Sequence, residues 1–191
     1  MLNRRAWVVK ERIGFLKLAD RYDILDPETG GVIGFAIEEL NTVTKWLRLL
    51  VHKRRFPTRV EIRESVDAPP LLVMSREVSR QRAEVSVYGR DGAKIGCFRS
   101  TVLGGGLHVF DKTGQEIAEV KRHSPGWNYH FLGQKGKILG SVTKRLEYLA
   151  KELLTSADTY VITLADGTPS DNEMAGLMLA AGLTIDMVFH E

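Results

Sequence analysis

Lys45, Arg48, Lys53, Arg54 and Arg55 fall within a short stretch and alternate with Trp46, Leu47, Leu49, Leu50 and Phe56. Cations at that density attract phosphate. Near an anionic membrane each contributes roughly 1 kcal/mol. Trp and Leu beside them suit the headgroup boundary. The same residues also fit an element with an apolar side in a core and a basic side in water. A third reading is nucleic acid, whose phosphates take the same side chains. Lys45, Trp46, Arg48, Lys53, Arg54 and Arg55 are the candidate lipid-binding residues.

The remaining motifs point away from catalysis. Asp111-Lys-Thr-Gly114 copies most of the phosphorylation motif of cation-transporting ATPases, but Gln115 follows where that motif has threonine. It reads as a turn. Gly104-Gly-Gly106 precedes no Gly-Lys-Ser/Thr, and Leu107 opens a strand, so it reads as a link between hairpins rather than a phosphate loop. The histidines, His52, His108, His123, His130 and His190, form no ligand pair such as His-x-x-x-His. Cys97 is the only cysteine, so an internal disulfide and a cysteine metal cluster are both excluded. It reads as a small core residue. No acid, base and nucleophile set emerges, and the chain is not expected to be an enzyme.

The elements that must position these residues are set by a repeat. An alternating strand runs into a polar turn ending in glycine, then a short apolar pair. The turn glycines are Gly92, Gly114 and Gly136, and the pairs are Ile95-Gly96, Ile117-Ala118 and Leu139-Gly140. An earlier copy runs from Tyr22 through Gly30 to Ile33-Gly34. Alternation is the period of a half-buried strand, and glycine supplies the positive φ that a tight turn needs. Four such hairpins imply an antiparallel sheet of about eight or more strands, which would close into a barrel or sandwich. His108 and His130 occupy equivalent repeat positions and should face outward.

Two segments break the pattern. Residues 143–154 place Leu146, Leu149, Ala150, Leu153 and Leu154 on one stripe, which predicts an amphipathic helix; residues 159–164 then read as a strand. Ser170-Asp-Asn-Glu173 matches a capping box. Beyond it, residues 174–185 carry no charge on any face. A helix apolar all round is enclosed by protein or by a membrane. Counted to Phe189 the run is about 16 residues, or ~24 Å, short of the ~30 Å hydrocarbon core, and Asp186 interrupts it near its end. Its small residues, Gly176, Ala180, Ala181 and Gly182, suit a slim helix inside a barrel.

Bulk properties agree with one globular domain over residues 1–191: 43% hydrophobic, 27% charged, net charge +3. The start of the chain carries Arg4, Arg5 and Lys10 and does not read as a signal peptide.

Several segments together resemble the phospholipid scramblase family, which shares its fold with the tubby C-terminal domain and the plant LURP-one-related proteins. The segments are Leu139-Gly-Ser-Val-Thr-Lys144, Lys151-Glu-Leu-Leu-Thr-Ser-Ala-Asp158-Thr-Tyr160 and Ile185-Asp-Met-Val-Phe-His-Glu191. The resemblance implies a closed antiparallel β-barrel around a hydrophobic C-terminal helix, and membrane association. It implies a peripheral module for anionic phospholipid, including phosphoinositide, at a cytoplasmic membrane face. The alternatives are a scramblase that moves lipids between leaflets and a regulator that binds protein or nucleic acid. The chain departs from the animal scramblases in lacking a proline-rich leader and a cysteine cluster. Where their calcium loop implies an acidic residue, it has Ser156. Asp158 and Asp166 are the weak calcium candidates, far from the six to eight oxygens that calcium takes. No metal or cofactor is expected.

Overall fold

The computed structural model describes residues 1–12, 21–39, 57–77, 83–101, 105–123, 128–144 and 159–189. The strands are β1 (Ala6–Glu11), β2 (Arg21–Leu25), β3 (Val32–Glu39), β4 (Thr58–Arg63), β5 (Leu72–Arg76) and β6 (Glu84–Tyr88). They continue as β7 (Lys94–Ser100), β8 (Gly106–Asp111), β9 (Glu116–His123), β10 (Asn128–Leu132), β11 (Ile138–Thr143) and β12 (Thr159–Leu164). The helix α1 (Asn172–Phe189) follows. Each strand pairs antiparallel with its sequence neighbours. β1 closes the ring on β12, with Ala6 opposite Thr163 and Lys10 opposite Thr159. A barrel of this many strands has an interior wider than its own side chains fill, and α1 occupies it.

All four repeats are hairpins: β2–β3, β6–β7, β8–β9 and β10–β11. Gly92 and Gly114 hold φ of 78° and 83° at their tips. Every copy shifts register at its turn end, between Ile24 and Leu25, Val87 and Tyr88, Val109 and Phe110, and Phe131 and Leu132. A bulge there sharpens the twist.

The second member of each repeated pair is small because the wall is crowded there. A Cβ on Gly96 would meet the Phe110 carbonyl and, at 2.9 Å, a methyl of Leu177 on α1. A Cβ on Gly140 would meet the Thr163 carbonyl and the Met178 methyl. The helix reciprocates: Gly176 lies against Leu72 and Ile95, and Gly182 against Ile162 and Tyr160. Residues 175–185 and Met187 are buried. Each large apolar side chain among them contributes about 1.5–3 kcal/mol by leaving water.

The helix begins where the sequence predicts, but its cap is Asp171 rather than Ser170. Asp171 Oδ1 accepts the Met174 N–H at 2.8 Å. Glu173 does not fold back as in a capping box; it takes Lys112 Nζ at 2.7 Å. At the other end Arg76 Nη1 donates to the Met187 carbonyl at 2.9 Å and Nη2 to Thr58 Oγ1 at 3.0 Å. Tyr22 Oη donates to Asp186 Oδ2 at 2.6 Å. The charge that interrupts the apolar run therefore has a hydrogen-bond partner on the barrel wall. Thr143 belongs to β11; the amphipathic pattern beyond it, at residues 145–154, lies outside the described residues.

On the outer wall Glu61 is 4% exposed and sits between Arg59 and Arg63. Burial pushes its pKa up, but hydrogen bonds and charge from Arg63 and Arg59 outweigh that and leave it below the ordinary 4.5. A carboxylate depressed by folding stabilises above its unfolded pKa and loses that contribution as pH falls through the folded value. Glu61→Gln should therefore be less stable than wild type at pH 7, with the gap narrowing below pH ~4.5. Urea midpoints at pH 7 and pH 3 measure it; a gap that widens in acid would contradict the assignment.

Candidate functional site

The barrel has two chemically different ends. At one end lie the four glycine hairpin tips, residues 1–5, 64–71 and 165–171, and the start of α1. Arg5 ties this end together, donating to the carbonyls of Ala165 (2.5 Å) and Thr168 (3.1 Å) as the chain turns toward the helix. The helix ends at the other end, with the Arg76 cap beside it. β3 finishes and β4 begins at that second end, as do β5 and β6.

Lys45, Trp46, Arg48, Lys53, Arg54 and Arg55 belong to the β3–β4 connection and lie outside the described residues. The strands that bracket them are described, and both open at the end where α1 finishes. The β5–β6 connection leaves the same rim and carries Arg80 and Arg82, which are absent from the candidate set drawn from the sequence. The signal is present as Arg80-Gln-Arg82, but linear distance separates it from residue 55. Only strand order makes the strands that flank the two stretches neighbours. β3, β4, β5 and β6 are consecutive in the wall, spanning about 14 Å at ~4.8 Å per strand pair. Residues 40–56 and 78–82 hold seven Lys and Arg and no acidic residue.

Many cations on the described wall already have partners. Arg59 pairs with Glu39 and Glu61, Arg12 with Asp23, Arg99 with Glu84, and Lys121 with Glu119. Asp111 behaves as a turn residue. Its Oδ1 accepts from the Thr113 hydroxyl and from the N–H groups of Thr113 and Gln115, which hold its carboxyl below the usual range. Gly106 opens β8, while Gly104 lies outside the described residues. His108 and His130 face outward as expected. His108 meets Glu116 at 2.8 Å, and His130 stacks on His123 with ring centroids 5.1 Å apart.

Cys97 is buried, but not in the core. It alternates with Gly96 and Phe98, which face α1 and the interior, and it lies on the outer wall. Burial pushes its thiol pKa up against the pull of Lys94, which disfavours a reactive thiolate. Among the described residues no three His, Cys, Asp or Glu are placed to share a metal. Asp158, just before β12, lies outside the described residues. Asp166 follows the opposite end of this six-residue strand.

The tip end carries a cleft of about 680 Å³. Leu71, Leu72 and Ile95 form its floor, and Arg90 and Asn172 stand on its rim.

The sequence profile of the family described as Scramblase matches residues 9–191, nearly the whole chain. The chain belongs to the Scramblase family. No curated protein and no solved structure matches it. In this scramblase-family barrel, α1 is long and apolar enough to cross a membrane by length and composition. Its most apolar window is nonetheless 67% buried, against the barrel wall. The family's closed barrel with a central helix thus follows here from small residues on both contacting surfaces.

Proposed function

We propose that this scramblase-family domain is a peripheral module that binds anionic phospholipid headgroups, phosphoinositides included. Binding would occur through the barrel end at which α1 finishes. What supports this is that the strands flanking residues 40–56 and 78–82, β3 to β6, are consecutive in the wall, and those two stretches of sequence hold seven cations and no acid. At roughly 1 kcal/mol per cation near a charged leaflet, such a sector suffices for reversible attachment. Trp46 and the leucines beside it add apolar contact. The reading uses no calcium, and a cytoplasmic leaflet is the natural anionic surface.

Lipid translocation through a membrane-spanning α1 is the second reading. The burial of α1, its packing against Gly96 and Gly140 and its hydrogen bonds to Arg76 and Tyr22 all weigh against it. Extracting the helix would expose the barrel's core to water.

Flotation with neutral and anionic vesicles, at low and high salt, tests the proposal. Selective, salt-sensitive flotation with anionic vesicles is expected. Arg54→Glu with Arg55→Glu should weaken it by roughly tenfold or more, since each reversal costs at least ~1 kcal/mol. Unchanged flotation of the double variant would remove this site. Equal retention by heparin or nucleic acid would favour a regulator of general polyanion affinity.

A further inference from the structure

The cleft at the tip end lies on the far side of the barrel from the basic sector, and its chemistry is different. Its floor is apolar: Leu71 and Ile95 are 9% exposed and Leu72 is 2% exposed, and Leu72 and Ile95 meet Gly176 of α1. Met1 and Leu2 pack against the core beside them. A volume of about 680 Å³ lies within the ~300–1,000 Å³ of small-molecule sites, which pair an apolar lining with a few convergent polar groups.

The polar groups on the rim are unequally committed. Glu64 Oε1 takes the Met1 ammonium at 3.0 Å. Asp91 Oδ1 accepts the Ala93 N–H at 3.0 Å within its own hairpin turn. Glu173 is held by Lys112 at 2.7 Å. Arg90 is different. It forms a long ion pair with Glu64 Oε2 at 4.0 Å, beyond hydrogen-bond reach, and its side chain is 62% exposed. A guanidinium carries five N–H donors in a fork that matches a carboxylate or phosphate. Asn172, the first residue of α1, stands on the same rim, where the helix dipole is positive. The acids have closer partners, and Arg90 keeps only this long ion pair with Glu64.

We propose that this cleft binds a single-chain anionic amphiphile, with its alkyl chain along Leu71, Leu72 and Ile95 and its carboxylate or phosphate on Arg90. A free fatty acid and a lysophospholipid offer that same chemistry. The site is independent of the basic sector, so it stands or falls apart from the vesicle-binding reading.

Calorimetric titration of the whole chain with laurate, lauroyl lysophosphatidate and uncharged dodecyl maltoside, each below its micelle concentration, tests it. Saturable one-to-one binding of the anionic ligands is expected, at least tenfold tighter than of the maltoside. A preference for laurate or for the lysophosphatidate identifies which source the head fits. Arg90→Glu, a change at an exposed side chain, should remove that preference. Absence of saturable binding of both laurate and the lysophosphatidate to the wild-type chain would overturn the proposal, as would undiminished anion preference in Arg90→Glu.

Discussion

Gly140→Ala should lower stability by about 3 kcal/mol, the upper range for overpacking, or roughly 6–12 °C in the unfolding midpoint for a chain of this size. The added Cβ would run into the carbonyl of Thr163 on the neighbouring strand and the methyl of Met178 on α1. The methionine can change rotamer. The carbonyl cannot move, because Ser141 is paired with Thr163 and Gly140 with Leu164 across the β11–β12 ladder. The wall would have to separate from its neighbour or from the helix. A control at the tip of the same repeat separates this from ordinary glycine effects. Gly136 has φ 74°, and a Cβ added there would meet nothing within 4 Å. Gly136→Ala should therefore cost only about 1 kcal/mol, from backbone strain. Thermal melts of both variants decide it. Equal midpoints for the two would mean that close packing against α1 does not govern the small position of the repeat.

Arg76→Met should cost about 3 kcal/mol, since hydrogen bonds to a charged group are each worth ~1.5–3 kcal/mol. Arg76 is 5% exposed. Its guanidinium satisfies the Met187 carbonyl, one of the helix-end acceptors that have no partner within the helix. The same group holds Thr58 on β4, so one side chain joins the helix end to two strands. Methionine keeps most of the stem volume, and the loss reports the polar head. The defect should be local first. Amide exchange near residues 186–189 should quicken more than exchange at residues 175–180, where only apolar packing holds the helix. Denaturant midpoints give the total and hydrogen exchange gives the place. Uniform acceleration along α1 would show that the C-terminal latch is not a separate contact.

Much of this architecture is legible locally. Val85, Val87 and Ile95 alternate with polar residues, and Gly92 sits where a two-strand turn needs positive φ; both facts concern neighbours within a few residues. The uncharged run at residues 174–185 requires enclosure whatever encloses it. The helix cap is nearly legible: Ser170 and Asp171 are both good caps, and the backbone path decides which carboxylate or hydroxyl reaches Met174. Cys97 misleads for a similar reason. A small apolar residue in a strand reads as core, but the register that turns Phe98 inward turns Cys97 outward, under Lys94, Glu84 and Arg99.

The sequence alone determined the four hairpins, the central helix and the family resemblance, because each depends on short-range periodicity or on composition. Tertiary structure decided how many strands close the ring and why Gly96 and Gly140 must be small. It also decided that the strands flanking Lys45–Arg55 and those flanking Arg80 and Arg82 are consecutive in the wall, and that Arg90, in only a long ion pair with Glu64, borders an apolar cleft. These properties depend on which strands are neighbours and which carboxylates are already paired. Such contacts span tens to more than a hundred residues, and no local pattern in the chain encodes them.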